Sequence, residues 1–161
     1  MHYDMKMSSR EAGDDEVARI LEEGQFCVIS TVDADGMPYG VPVSYVMIDG
    51  MLYLHSTNAG GHKADDFEHD GRVCATVVQH VAPCYENSFF STRYESAMVF
   101  GRIDRVADDA LRRKVLGALC MKYVPAARDE IGGAIERGIA GVEIWRILPT
   151  EVSGKIADTI G

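Results

Sequence analysis

One polar stretch of the sequence, LYLHSTNAGGHKADDFEHDGRVC, carries most of the side chains that could do chemistry. It holds three histidines, a lysine, a pair of glycines and a cysteine: His55, His62, His69, Lys63, Gly60, Gly61 and Cys74. Imidazoles and thiolates bind metal ions, whereas glycine amides at the start of a helix bind phosphate groups. The stretch therefore allows a metal site, a phosphate site, or a polar loop followed by a surface helix.

The spacing of the histidines argues against a shared metal ion. His55 ends an apolar run that predicts a strand, whereas His62 and His69 fall within a predicted helix. Two helical turns place His62 and His69 about 10 Å apart along the axis, and a zinc ion binds its ligands at about 2 Å. We therefore expect no metal site here.

The residues Gly60, Gly61 and Lys63 instead predict a phosphate-binding turn. Glycines adopt positive φ angles and expose their amides, the N-terminus of the following helix adds partial positive charge, and the lysine adds a full charge. The patterns G-x-x-x-x-G-K-[ST] and G-x-G-x-x-G are absent. A flexible turn with a solvated Lys63 is the alternative that the residues alone leave open.

Composition limits the class of protein. A chain of 161 residues, 47% apolar, predicts one domain over residues 1–161, with a mobile N-terminal tail over residues 1–13. The net charge of -9 argues against nucleic-acid binding, which needs a basic face. We find neither a secretory signal nor an apolar run of about 18 residues that would span a membrane. The scattered cysteines favour reduced thiols, and we expect a cytoplasmic protein that does not contact membranes.

The elements that must position the polar stretch are mainly strands. Six apolar runs predict them: QFCVISTV, PYGVPVSYVMI, MLYLHS, RVCATVVQHV, AMVFGRIDRV and GVEIWRIL. Asp49 and Gly50 predict a hairpin between the second and third, and Gly101 predicts a bulge. Four helices are predicted, over DDEVARILEEG, HKADDFEH, DDALRRKVLGALCMKY and ARDEIGGAIERG, and a loop over APCYENSFFSTRYES. The pattern predicts a mainly β protein, a six-stranded antiparallel barrel with peripheral helices.

At this point a family resemblance becomes visible. The run GMPYGVPVSYVMIDGMLYLHSTNAGGHKADDFEHDGRVCATV, followed by AMVFGRIDRV, resembles the pyridoxamine 5'-phosphate oxidase-like FMN-binding split barrels. Within them it is most similar to the nitroimidazole-resistance (NimA-type) flavoproteins. The resemblance rests on the order of a G-x-P-x-x-x-P strand, a hairpin, a strand ending in Y-L-H, a G-x-K loop and R-V-C. It implies a homodimer of six-stranded split barrels with FMN bound at the dimer interface.

The resemblance also implies roles for individual residues. Along the flavin ring, at the strand end and around the phosphate it implies these cofactor-binding residues: Pro42, Val43, Ser44, His55, Ser56, Gly61, His62 and Lys63. The strand-end histidine of NimA-type proteins, here His55, is implied to be catalytic, beside flavin and substrate. Trp145 is expected to wall the flavin pocket, or else to be ordinary core, as a single tryptophan on an apolar strand usually is.

The function implied by the resemblance is that of an FMN-dependent oxidoreductase. A reduced nicotinamide or another donor would reduce FMN, which would pass electrons to a small electron-poor organic substrate such as a nitro compound. His62 and Lys63 stand where the oxidases have an Arg-Lys pair, which argues against true pyridoxamine phosphate oxidase activity. Two other classes fit: a flavin-binding redox sensor or storage module without turnover, and a haem-binding split barrel. The deazaflavin F420 is the alternative to FMN.

Overall fold

A computed structural model describes residues 8–158 of the chain. In this part, seven strands form one antiparallel sheet: β1 Cys27–Val32, β2 Pro38–Val43, β3 Tyr45–Ile48, β4 Met51–Thr57, β5 Arg72–Glu86, β6 Phe89–Arg105 and β7 Val142–Ala157. The described α-helices are α1 Asp14–Glu23, α2 His62–His69, α3 Asp109–Tyr123 and α4 Ile131–Gly138, and 3-10 helices span Ser8–Arg10, Pro125–Glu130 and Ile139–Gly141. The predicted mainly β, antiparallel class with peripheral helices is confirmed.

The order of the strands closes the sheet into a barrel. The order is β2-β1-β5-β6-β7-β4-β3, so β2 and β3 form the two edges. These two strands are consecutive in the chain, with only Ser44 between them. Because one residue joins them, the two edges meet at Ser44 and the sheet curls round a common core.

The number of strands is seven rather than the predicted six. The run PYGVPVSYVMI, predicted as one strand, divides at Ser44, where β2 leaves its partner β1 and β3 begins to pair with β4. Pro42 has no amide hydrogen to donate to a second neighbour, which explains a break near this point. The hairpin predicted at Asp49 and Gly50 is confirmed, since both residues have positive φ angles, 53° and 76°, between β3 and β4.

A long hairpin extends from β5 and β6, and here the sequence-based prediction is wrong. The segment APCYENSFFSTRYES was predicted as a loop, but its residues pair from Ala82 with Arg93 to Glu86 with Phe89. Asn87 and Ser88 form the two-residue turn, with φ angles of 51° and 67° that match a type I′ hairpin. We call residues 82–93 the hairpin arm.

The core has two parts. Inside the barrel, Trp145, Tyr45 and Leu54 are among the largest buried side chains, and α1 closes one end with Val17 and other apolar residues. A second cluster lies outside the barrel, where α3 packs over β3, β4 and β7. Asp108 caps α3 by accepting a hydrogen bond from the Leu111 amide at 2.7 Å.

Two further local predictions can be compared with the structure. The bulge predicted at Gly101 is confirmed: the β6–β7 register shifts there, and a Cβ would overlap the Leu148 carbonyl oxygen. Of the N-terminal tail predicted over residues 1–13, residues 1–7 lie outside the described part. Ser8–Arg10 form a 3-10 helix, and Glu11 forms an antiparallel bridge with Lys155.

Within residues 8–158, no helix has the length and apolar character needed to cross a membrane.

Candidate functional site

The turn between β4 and α2 exposes backbone amides. Gly60 and Gly61 have φ angles of 80° and 131°, and no heavy atom lies within 4 Å of the position of a Cβ at either residue. The first hydrogen bond within α2 is donated by the Ala64 amide to the Gly61 carbonyl oxygen, at 2.8 Å. The amides of His62 and Lys63 therefore precede the helical ladder and are free to bind an anion.

The Lys63 side chain adds a full positive charge beside these amides. It is half-buried, yet it makes no hydrogen bond and no ion pair with any residue between 8 and 158. Burial lowers the pKa of Lys63 because desolvation penalises the ammonium form. An anion bound at this turn would supply the missing partner.

His55 lies near the end of β4, on the exposed side of the strand, opposite Ile144 of β7. Partial burial of the ring and, second, the nearby Lys63 cation lower the pKa of His55. The imidazole is therefore neutral near neutral pH, with one ring nitrogen as donor and the other as acceptor. The Lys63 charge is therefore near enough to influence protonation of His55.

Ser56 and Trp145 lie beneath this surface rather than on it. Successive strand residues face opposite sides, so Ser56 points inward where His55 points outward. Its Oγ accepts a hydrogen bond from Trp145 Nε1 at 2.9 Å, and the two residues are 5% and 2% exposed. Phe67 of α2 packs edge-on against the indole at 5.1 Å. Trp145 therefore takes the core position that the sequence left open, and its contact with a flavin stays a prediction.

The His62 ring contacts Tyr39 of β2 and lies close to Asp66 of α2, two residues that the sequence did not point to. The ring stacks on Tyr39 of β2, with centroids 3.9 Å apart and planes at 26°. Its Nε2 lies 3.6 Å from Oδ1 of Asp66, a carboxylate that is only 3% exposed. Thr31 of β1 donates a hydrogen bond to Oδ2 of Asp66 at 2.6 Å. The i to i+4 spacing of His62 and Asp66 was the one visible signal, whereas the contacts with Thr31 and Tyr39 are long-range.

Pro42, Val43 and Ser44 lie at the corner where the barrel edges meet. Pro42 is exposed, Val43 is 7% exposed and faces the core, and Ser44 is half-buried. Burial raises the pKa of the Tyr123 hydroxyl, and its hydrogen bonds with the Tyr45 backbone and with Ser44 oppose part of this effect. Only Pro42 of the three presents its side chain fully to the outside.

The outer side of the sheet next to Pro42 is apolar and uncovered. Strand pairing aligns residues in two neighbouring rows that cross β2, β1, β5 and β6. The first row is Pro42, Val28, Thr76 and Met98, and the second is Gly40, Ser30, Cys74 and Phe100. We call these two rows the open sheet face. Val28 and Phe100 are 42% and 38% exposed. Val28 and Phe100 lie two strands apart on this face, with Cys74 and Thr76 of β5 between them.

Two cavities lie apart from the Gly60–Lys63 turn. One of about 430 Å³ opens between α1 and β7, and one of about 270 Å³ lies beside Arg105 and Arg112. Neither is lined by His55, His62 or Lys63. Among residues 8–158, no group of three or more histidine, cysteine, aspartate or glutamate side chains could hold a metal ion.

The curled antiparallel sheet, split at Ser44 and flanked by α2, defines the chain as a split-barrel protein. The family model described as pyridoxamine 5'-phosphate oxidase matches residues 13–156, and the chain belongs to this family. The resemblance noted in the sequence is thereby confirmed. A search of curated proteins gives no match.

Solved structures share the fold at low sequence identity. A candidate 5-nitroimidazole antibiotic resistance protein from Bacteroides thetaiotaomicron is 22% identical, with a TM-score of 0.73 over 97% of this chain and 95% of that one. The flavocytochrome Anf3 from Azotobacter vinelandii is 18% identical, with a TM-score of 0.79 over 98% and 73%. A FAD and haem binding protein from Mycobacterium smegmatis is 21% identical, with a TM-score of 0.78 over 93% and 74%.

Proposed function

We propose that the chain is an FMN-dependent oxidoreductase that binds flavin at the interface of a homodimer. Its substrate would be a small electron-poor organic molecule, such as a nitro compound. The observation that carries the proposal is the turn after β4, where free amides and the unpartnered Lys63 ammonium lie beside His55. This arrangement fits a phosphate group with a reactive ring next to it.

The turn would leave room for the phosphate end of FMN. The space at Gly60 and Gly61 is open, so an anion can approach the backbone closely. The His62 and Lys63 amides would donate to phosphate oxygens, and the Lys63 ammonium would add a charge-assisted hydrogen bond. Ser56 would hold the strand end in place, because its hydrogen bond with Trp145 is buried.

The open sheet face supports the homodimer. One of its two rows begins at Pro42, which the resemblance places against the isoalloxazine ring. A second copy docked on this face would cover Val28 and Phe100 and turn the open surface at Pro42 into a cleft. Burying a flavin ring in such a cleft would provide the apolar surroundings that cofactor sites usually have.

Bound FMN would supply hydride and electron transfer. The chain would bind and orient the cofactor and place a proton donor beside it. Neutral His55 carries one ring N–H, which can donate a hydrogen bond to a nitro or carbonyl oxygen of the substrate. A reduced nicotinamide is the proposed electron donor, and the similarity to a candidate nitroimidazole resistance protein supports the choice of a nitro compound.

A turnover experiment tests this proposal. Flavin-loaded protein is mixed anaerobically with a reduced nicotinamide, flavin bleaching is followed, and a nitroimidazole is then added while reduced product is measured by mass spectrometry. We expect donor-driven bleaching and reoxidation by the nitro compound, both faster than for free FMN at equal concentration. His55→Gln should keep the bound flavin and slow reoxidation.

Other outcomes would favour the alternative classes. Stoichiometric flavin without donor-driven reduction would identify a redox sensor or storage module. A Soret band after reconstitution with haem, in place of flavin binding, would identify a haem protein, a class to which the similar FAD and haem binding structure points. Release of a deazaflavin would replace FMN by F420. The cytoplasmic location expected from the sequence stays a prediction.

A further inference from the structure

The larger of the two cavities, of about 430 Å³, lies where β7 continues past the end of β4. The pairing of these two strands ends at Leu52 with Ile147, and the rest of β7 pairs along one side only, with β6. α1 covers this end of the barrel by packing against β3, β6 and β7. Helix and strand are in tight contact at Gly154, where a Cβ would lie 2.6 Å from Val17 Cγ2. The space left beside this contact is called the α1 cavity below.

One side of α1 lines the α1 cavity along most of the helix. Its five lining residues follow the i, i+3, i+4, i+7, i+8 spacing of a single helix face: Asp14, Val17, Ala18, Leu21 and Glu22. The three in the middle are apolar, and the two at the ends are carboxylates. Asp14 and Glu22 are separated by about 12 Å along the helix axis. The α1 cavity is therefore elongated, with an apolar middle and a carboxylate at each end.

The wall that faces α1 is also apolar. It is formed by Met47 of β3, Val99 of β6 and Val152 of β7. Val99 is fully buried, whereas Val152 is 44% exposed and has no covering element. Small-molecule sites are typically cavities of about 300–1,000 Å³ with apolar walls and a few polar groups that fix orientation. The size and lining of the α1 cavity fit this description.

The carboxylates of the α1 cavity have no cationic partner. Glu11 lies at the same end as Asp14, and Glu22 lies at the other; within residues 8–158, none of the three makes an ion pair and no basic residue lines the cavity. Lys155, whose backbone bridges to Glu11, holds its ammonium over an aromatic ring of β6 instead. Glu22 attracts Lys122 of α3 at a distance, which opposes part of the lowering of the Lys122 pKa by burial. Both ends of the cavity therefore favour a positively charged group.

We propose that the α1 cavity binds a linear diamine, with its alkyl chain along the apolar side of α1 and an ammonium group at each end. Extended 1,8-diaminooctane has roughly the length that separates Asp14 from Glu22, about 12 Å. The net charge of -9 concentrates cations near the protein surface. The apolar middle selects an alkyl chain, and the carboxylates at both ends select a diamine over a monoamine.

This site is separate from the proposed flavin site. Gly50 lines the α1 cavity just before β4 begins, whereas His55 lies five residues further along, a distance of about 17 Å at the rise of a strand. The residues of the Gly60–Lys63 turn do not line the cavity. Diamine binding should therefore neither require FMN nor compete with it.

Calorimetric titration of the purified full chain compares four molecules that share one alkyl chain length: 1,8-diaminooctane, octylamine, octan-1-ol and octanoate. The diamine should bind most tightly, octylamine about threefold more weakly, octanol more weakly again, and octanoate most weakly. The steps are modest because an exposed ion pair contributes a factor of about two to five. The order should be the same in the presence of FMN.

Four variants locate the ligand. Glu22→Gln should reduce the affinity for the diamine to that for octylamine, and Asp14→Asn should weaken binding of both amines about threefold. Asp15→Asn is the matched control, because Asp15 lies in the same first turn of α1 but does not line the cavity, and it should change neither affinity. Ala18→Trp should fill the cavity and abolish binding of the diamine, with an unchanged unfolding midpoint because Ala18 is exposed.

Nuclear magnetic resonance supplies a readout of position. Diamine binding should shift the amide signals of Gly50 and Gly154, which line the α1 cavity, and should leave those of Gly60 and Gly61 unchanged.

Several results would overturn the inference. Equal diamine affinity in wild type and Glu22→Gln, or equal weakening by Asp14→Asn and Asp15→Asn, would indicate only general attraction to an acidic surface. Diamine binding that persists in folded Ala18→Trp would place the site elsewhere, and no binding to wild type at millimolar concentration would show that the cavity takes no diamine. Each of these results leaves the proposed flavin site unaffected, because FMN binding is measured separately.

Discussion

Removing the charge of Lys63 provides a quantitative test of the phosphate site. Lys63→Met keeps the apolar stem and removes only the ammonium group. A charge-assisted hydrogen bond contributes about 1.5–3 kcal/mol, and each 1.4 kcal/mol is a factor of about ten, so FMN affinity should fall by about tenfold to about a hundredfold. The lower half of this range is expected because Lys63 is only half-buried and water screens part of the charge.

The same substitution should weaken FMN binding but should not lower the stability of the flavin-free protein. Burial lowers the pKa of Lys63, and no residue in the described range pairs with it, so the charge costs the folded state free energy. Lys63→Met should therefore leave the flavin-free unfolding midpoint unchanged or raise it, while FMN binding weakens. Loss of affinity combined with loss of stability would indicate a folding defect instead.

The assay is a fluorescence titration with FMN and, in parallel, with riboflavin. Only FMN binding should weaken, since riboflavin has no phosphate for Lys63 to hold. Lys114→Met is the matched control, because Lys114 is exposed and pairs with Asp49 at the β3–β4 turn. An FMN dissociation constant for Lys63→Met equal to that of the control would refute the phosphate site.

Three further predictions concern stability and assembly. Lys122 Nζ is buried without a hydrogen-bond partner, 4.0 Å from the Tyr45 ring centre, and burial lowers the pKa of Lys122. Lys122→Met should therefore raise the free energy of unfolding by about 1 kcal/mol at neutral pH, as measured by urea titration. This gain should shrink toward about pH 10.5, where lysine in the unfolded chain also loses its proton, and a constant gain would contradict the argument. The hydrogen bond from Arg19 lowers the pKa of Glu95 to about 2. The ionised Glu95 carboxylate therefore stabilises the fold above about pH 4.5, and this stabilisation is lost as pH falls toward about 2. Glu95→Gln should lose less stability than wild type over this pH range, and identical acid unfolding profiles for the two proteins would refute the argument. Val28→Lys places a charge on the open sheet face and should shift the protein from dimer to monomer in sedimentation, whereas Met121→Lys, on the similarly exposed α3 position, should not; a dimer in both variants would place the interface elsewhere.

Most strands and helices could be predicted from local sequence patterns, whereas features that depend on pairing between distant residues could not. β1 and the β3–β4 hairpin follow from β-branched runs and a Asp-Gly turn, which need only neighbouring residues. The break at Ser44 was missed because it depends on which strand pairs with each side of that residue. The hairpin arm was missed because its turn, Asn87 and Ser88, lacks the glycine that usually marks a type I′ hairpin.

The same distinction applies to the candidate site. Gly60, Gly61 and Lys63 are adjacent in the chain, so their convergence at the start of a helix could be predicted. The hydrogen bond from Thr31 to Asp66 joins residues 35 positions apart, and nothing in either local pattern indicates it. Alternation along β4 could have separated exposed His55 from buried Ser56, because neighbouring strand residues face opposite sides.

Identification of the bound cofactor tests the central claim most directly. The purified protein is examined by absorption spectroscopy, its released cofactor is identified by mass, and the flavin-free form is titrated with FMN while its oligomeric state is measured. The account predicts a flavin spectrum, release of FMN, and a dimer that binds one FMN per chain. A colourless protein that does not bind added FMN would contradict it.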